Sequence, residues 1–64
     1  MKTIIQRINR DNSRDIIFES ETFLSFQNGN LIMDKDMIYY EVKGGTFLIE
    51  EQTMYYVVWN SHIL

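Results

Sequence analysis

Hydrophobic and polar residues exchange at short, regular intervals along this chain. Polar clusters fall at NRDNS (9–13), NGN (28–30), DKD (34–36), GG (44–45) and EEQ (50–52), separated by short runs rich in Ile, Phe, Tyr and Val. That spacing predicts an antiparallel meander with turn residues making the connections. Asn28-Gly29 is the strongest local signal, because a two-residue type I′ turn needs positive φ at both positions and Asn-Gly accepts it at low cost. With these two residues as the loop, Phe26 faces Leu31 and Leu24 faces Met33 on one side, while Ser25 faces Ile32 and Gln27 faces Asn30 on the other. Extending the even positions backward through Phe18 and Ile16 predicts one long strand over 16–27, bent near Ser20.

Gly44-Gly45, treated as a second tight turn, sets Val42 opposite Phe47 and Tyr40 opposite Ile49. A turn at Glu51-Gln52 then sets Met54 opposite Ile49 and Tyr56 opposite Phe47. The predicted core face is Ile38, Tyr40, Val42, Phe47, Ile49, Met54, Tyr56 and Val58. The reverse side of the same strands carries Met37, Tyr39, Leu48, Tyr55, Val57 and Trp59, and it is apolar as well. An antiparallel sheet with water on one face shows polar residues there, so these six form the candidate interface. Four things could cover it: the N-terminal segment, closure of the sheet into a barrel, a second copy of the chain, or a different protein. In KTIIQRI, Ile4, Ile5 and Ile8 have helical spacing, but three β-branched residues favour a strand.

Sixty-four residues make one small β domain, 1–64, near the lower size at which burial offsets chain entropy. Domains of this size usually rely on a staple or a partner, and a chain with no cysteine and one histidine has neither a disulfide nor the ligands of a zinc site. Self-association is therefore expected. The chain has no alanine and no proline, and isoleucine is its commonest residue, which tips the balance toward strands. This Ile-, Asn- and Tyr-rich composition resembles that of proteins from AT-rich genomes, such as low-GC Gram-positive bacteria and their phages. MKTIIQRINR lacks the apolar run and small-residue cleavage site of a secretory signal, and no stretch approaches the ~20 apolar residues of a membrane span. The expected location is cytoplasmic, the bacterial host's cytoplasm if the chain is phage-encoded.

Net charge is −3 and unevenly placed: residues 1–15 hold four cations against two carboxylates, and residues 16–64 hold two cations against seven. An acidic body with a small basic lead-in weighs against general nucleic-acid binding, which needs several cations on one face. Solubility accounts for a modest negative charge without any partner.

Candidate chemistry is sparse. His62 is the single residue that titrates near neutrality, and it stands by itself near the C-terminus. Asp34 and Asp36 in DKD, with Glu41-Val42-Lys43, have the E-x-K form found in metal-dependent nucleases, where carboxylates hold Mg²⁺ and the lysine orients water. E-x-K also arises by chance in strand-rich chains. Glu19 with Glu21, and Glu50 with Glu51, are candidate acid pairs, but Glu50 and Glu51 sit at a predicted turn where carboxylates are simply solvated. Arg7, Arg10 and Arg14 read as a solvated surface, and Gly44-Gly45 is followed by a strand, unlike a phosphate loop.

These observations converge on an all-β fold of five or six short antiparallel strands, forming a strongly curved sheet or small open barrel, and a dimer. The expected role is non-enzymatic, with no catalytic residue, metal or cofactor: a homodimeric inhibitor or regulator of a larger protein. A short, acidic, aromatic-rich chain without a motif resembles in style the accessory proteins with which phages block host enzymes or defence systems. The alternatives are a small nucleic-acid-binding β-barrel, a small-molecule sequestering module with its pocket at a dimer seam, and the metal nuclease.

Overall fold

A computed structural model describes residues 1–61. The chain folds into five strands: β1 (Lys2–Ile8), β2 (Arg14–Ser20), β3 (Leu31–Met33), β4 (Tyr39–Leu48) and β5 (Thr53–Asn60). They form one sheet in the order β2-β1-β5-β4-β3, curled into a half-barrel. Among the described residues no helix is long and apolar enough to cross a membrane.

The sheet is mixed. β1 runs antiparallel to β2 but parallel to β5, with Ile5 beside Tyr56 and Arg7 beside Val58. This corrects the all-antiparallel meander. The cause lies in the adjacent Ile4 and Ile5, both buried although they point to opposite faces. A strand buried on both faces belongs in the middle of a sheet, where a parallel neighbour is common. The N-terminal segment is thus a central strand and not a cover.

Three further expectations change. Residues 16–27 are not one strand, because β2 ends at Ser20 and the following segment leaves the sheet to cross its concave face. Asn28-Gly29 does make a tight turn, closed by the Asn30 N–H to the Gln27 carbonyl at 3.0 Å. Only Gly29 has positive φ, +90°, the signature of a type II turn, so no 24–27 ladder forms and β3 pairs with β4 instead. Gly44-Gly45 is not a turn at all: both lie inside β4, beside a bulge between Val42 and Gly44. Gly45 sits opposite Tyr56, and a Cβ there would stand 2.5 Å from Met54 Cε and 3.0 Å from Tyr56 Cε1. Space for those two side chains, not reversal of the chain, is what the missing Cβ provides.

β4 and β5 are joined by a four-residue loop, 49–52, with Gln52 at φ +49°. Phe47 therefore faces Met54, and Tyr56 faces Gly45, two residues away from the predicted register. A two-residue slip preserves side-chain parity, so Met54, Tyr56 and Val58 still point inward. The core is Ile5, Tyr40, Val42, Tyr56 and Val58, with Ile17, Phe26, Ile32 and Met54 packed against it. Ile38, Phe47 and Ile49, expected in the core, are exposed, Ile49 at 79% because it stands at the loop.

Two hydroxyl groups secure the crossing segment. Thr3 Oγ1 donates to the Thr22 carbonyl at 2.8 Å and accepts from the Leu24 N–H at 2.9 Å. Tyr56 Oη donates to the Leu24 carbonyl and accepts from the Phe26 N–H, both at 2.9 Å. Residues 22, 24 and 26 present backbone groups on one side as a strand would, and two side chains answer them in place of a neighbouring strand. Phe26 packs edge-on against Tyr56 at 5.0 Å and Phe23 against Phe47 at 6.5 Å. No buried side-chain polar atom among the described residues lacks a partner.

Candidate interaction surface

Alternation along β5 sends Tyr55, Val57 and Trp59 to the face opposite the core. On either side β1 contributes Ile4 beside Tyr55 and Gln6 beside Val57, and β4 contributes Thr46 beside Tyr55 and Glu41 beside Trp59. Leu48, opposite Thr53, and Tyr39, whose carbonyl accepts the Ser61 N–H, extend this face at its two ends. Five of the six predicted interface residues thus share one surface. Met37 does not join them: it sits at φ +65° in the turn before β4, 72% exposed. Sequence alternation missed Ile4, Gln6 and Ile16, which enlarge the face through β1 and β2; the adjacent pair Ile4-Ile5 was the available signal.

The segments that leave the sheet are tied to its inner side. Residues 22–26 hang from Thr3 and Tyr56, and the DKD turn is tied to Tyr40, whose hydroxyl donates to Asp34 Oδ2 at 2.8 Å. The outer face is left to its own side chains. Ile4 reaches 7% exposure because Tyr55 and Glu19 flank it on the neighbouring strands, whereas Trp59 remains 44% exposed.

Polar contacts fix the aromatic groups of this face. Trp59 Nε1 donates to Glu41 Oε1 at 2.9 Å, and Lys43 Nζ lies 4.1 Å from the centre of the same ring. The bulge at Lys43 places two residues of β4 within reach of one indole. Tyr55 Oη donates to Glu51 Oε1 at 2.8 Å, and that bond raises the phenol above its ordinary pKa.

On the concave side a groove of about 710 Å³ opens between the two edge strands, lined by Ile17 and Phe18 of β2, Ile32 and Met33 of β3, and Phe26 above. Asp34, Lys35 and Asp36 close one end. Asp34 makes an Asx turn, accepting from the N–H groups of Asp36 and Ile38 at 2.8 and 3.0 Å, and the Ile38 bond is the chief cause of its lowered pKa.

The chemical alternatives find little geometry. Glu41 and Lys43 flank Trp59 while Asp34 bonds Tyr40 on the inner side, so the nuclease triad does not converge; no cluster of three metal-ligating side chains occurs among the described residues. Arg7 and Arg10 share a depression of about 540 Å³ with Trp59, and Arg7 is engaged by Asn9 Oδ1 at 3.1 Å and Asp15 Oδ2 at 3.0 Å and also acts on Tyr40. His62 lies outside the described residues. No family model matches the chain, no curated protein is similar to it, and no solved structure matches its fold.

Proposed function

We propose that this chain is a non-enzymatic interaction protein, a homodimer that inhibits or regulates a larger protein, with Tyr39, Leu48, Tyr55, Val57 and Trp59 as its docking face. One observation carries the proposal: among the described residues twelve large hydrophobic side chains are exposed and six are buried. A soluble monomer keeps its apolar exposure scattered, whereas here the exposed Ile16, Leu48 and Trp59 share one sheet face with the half-buried Tyr39, Tyr55 and Val57. Trp and Tyr at the centre of such a face match the composition of interface hot spots. A phage-encoded accessory protein acting in the bacterial cytoplasm on a host enzyme or defence factor fits this reading and the composition. No catalytic group, metal or cofactor enters it.

The test is comparative capture from the cells in which the gene is native. Wild-type chain should retain a protein that folded Trp59→Ala and Tyr55→Ala variants release. Equal retention by all three would overturn the docking face. A second reading, sequestration of a small apolar molecule, is favoured by the groove alone, whose volume falls within the ~300–1,000 Å³ of ligand pockets.

A further inference from the structure

The free edge of β2 carries a pattern that is complementary to itself. Lys2 donates its N–H to Gln52, so the even residues of β1 direct their backbone groups toward β5 and the odd ones toward β2. The Asn9 N–H to the Ser13 carbonyl at 2.8 Å confirms the odd set. Ser13, Asp15, Phe18 and Ser20 are therefore the residues that bond to the odd set of β1, with the bulge at Ile17 absorbing the change of parity. Arg14 and Glu19 direct their N–H and C=O groups away from the sheet. They sit opposite Ile8 and Ile4 respectively, so both side chains lie on the outer face. Beside them Ile16 is 55% exposed.

We infer that β2 is the seam of the homodimer, pairing antiparallel with β2 of a second copy so that Arg14 of each chain stands opposite Glu19 of the other. The inference rests on the self-association proposed above and assigns it a place. Outward-pointing backbone can meet outward-pointing backbone around a two-fold axis with Arg14 on Arg14, Glu19 on Glu19, or Arg14 on Glu19. The first two registers oppose like charges, which disfavours a cross-strand pair. The third opposes unlike charges twice, since the contact is isologous, and it sets bulge against bulge at the axis. Ile16, opposite Gln6, also points its backbone outward, but a register centred on it would place Arg14 against Phe18, and one centred on Ile17 would place Asp15 against Glu19, both mismatching the two faces. One centred on Asp15 opposes two carboxylates. Charges and a bulge on an edge strand guard it against indiscriminate pairing, and here the same devices leave one register open. Among the described residues the Arg14 side chain has no hydrogen-bond or ion-pair partner, while Glu19 meets Lys2 at 3.3 Å. The resulting ten-stranded sheet buries Ile16 at the seam and leaves both outer faces free for a larger partner.

Charge reversal tests the register. R14E and E19R, each confirmed folded by circular dichroism, should dimerise at least about tenfold more weakly than wild type in sedimentation equilibrium, because each opposes like charges twice. Mixed together the two variants should form a heterodimer, since unlike charges then face each other at both paired positions. The chain has no cysteine, so R14C/E19C reports independently. The paired Cα atoms would lie about 5.5 Å apart, within disulfide range, and oxidation should give a covalent dimer. R14C alone should not cross-link, its two copies being about 15 Å apart along the strand. Unchanged dimerisation of R14E, or no covalent dimer from R14C/E19C, overturns the seam. If Trp59→Ala abolishes a dimer that both charge reversals leave intact, the seam is overturned while self-association stands, its axis on the outer face. A wild-type chain that is monomeric at all concentrations overturns the seam and the proposed homodimer together.

Discussion

Tyr55 and Tyr56 are neighbours with the same side chain, and the sheet gives them opposite tasks. The hydroxyl of Tyr56 is buried and holds two backbone groups of the crossing segment, while its ring packs on Phe26. The hydroxyl of Tyr55 reaches only Glu51, at the surface. The difference follows from parity, because β5 separates a concave face that the chain covers with its own residues 22–26 from an outer face that it does not. A domain of this size cannot supply a second layer to both sides of a sheet. The inner face takes the layer, and the outer face retains its aromatic side chains.

The sharpest way to break this comparison is Tyr56→Ala. It removes a core aromatic together with the anchor of the crossing segment, and should cost about 3–5 kcal/mol in urea-induced unfolding. Tyr56→Phe isolates the hydroxyl: two backbone groups lose their partner, for about 1–3 kcal/mol. Tyr55→Phe should change stability by less than about 0.5 kcal/mol, because the Glu51 contact is solvent-exposed. Similar losses at the two tyrosines would show that parity does not divide their roles.

The two central glycines of β4 repeat the contrast. Gly45→Val drives a side chain into Met54 and Tyr56 on the concave side and should destabilise by about 1–3 kcal/mol. Gly44, opposite Val57, has open space around its absent Cβ. Valine there should be tolerated within about 0.5 kcal/mol, or stabilise through strand preference. Gly29→Val should cost about 1–3 kcal/mol for a different reason, since φ of +90° excludes a β-branched residue. Thermal melts of the three variants at one protein concentration would separate packing from backbone strain.

Trp59→Ala moves from folding to association. The monomer, measured under dilute conditions, should lose less than about 1 kcal/mol, whereas binding through the outer face should weaken by about 2 kcal/mol, the scale of a hot spot. The two quantities are separated by melting the isolated variant and by measuring how much of the captured partner the same folded variant retains. A loss of stability with retention unchanged would make Trp59 a folding residue.

Parity was the legible part of this fold. The alternation of Met54 to Trp59 placed Tyr56 and Val58 inside and Tyr55, Val57 and Trp59 outside, and a loop of the wrong length did not disturb it, because a slip of two residues leaves each side chain on its own face. What local pattern could not give was set by contacts distant in sequence. Gly44-Gly45 has the composition of a turn, but the reason for Gly45 is the ring of Tyr56, eleven residues later. Thr22, Leu24 and Phe26 read as strand, and their backbone is bonded as in a strand, yet the partners are the hydroxyls of Thr3 and Tyr56. The outer apolar face was legible as an excess of apolar residues on one side of β5. Its extension through Ile4 and Gln6 depended on the parallel pairing of β1, which no short window of sequence reveals.

The smallest expected effect concerns pH, and it again sets a side chain that anchors the inner face against one that decorates the outer. Hydrogen bonds from the Ile38 N–H, and less strongly from Tyr40, pull Asp34 below its unfolded value of about 3.8. A depressed carboxylate contributes stability that is present above the unfolded pKa and lost as pH falls through the folded one. Burial, and next the bond to Asp34, raise Tyr40 above about 10, so its contribution is present below that value and lost as pH rises through the folded pKa. Stability should accordingly be level between about pH 5 and 9 and decline at both ends. Asp34→Asn keeps an oxygen for the turn but loses the charge, and should shrink the acid decline without removing it, because Asp11 and Asp15 are also lowered, by hydrogen bonds from Ser13 and Asn9 respectively. Tyr40→Phe should reduce the alkaline decline. Tyr55 is raised as well, by its bond to Glu51, but its hydroxyl anchors no other segment, so Glu51→Gln should return its titration toward the ordinary value while leaving the melting temperature at pH 7 unchanged. An alkaline decline that follows Tyr55 and ignores Tyr40 would mean that the outer face, and not the concave one, holds the ordered contacts.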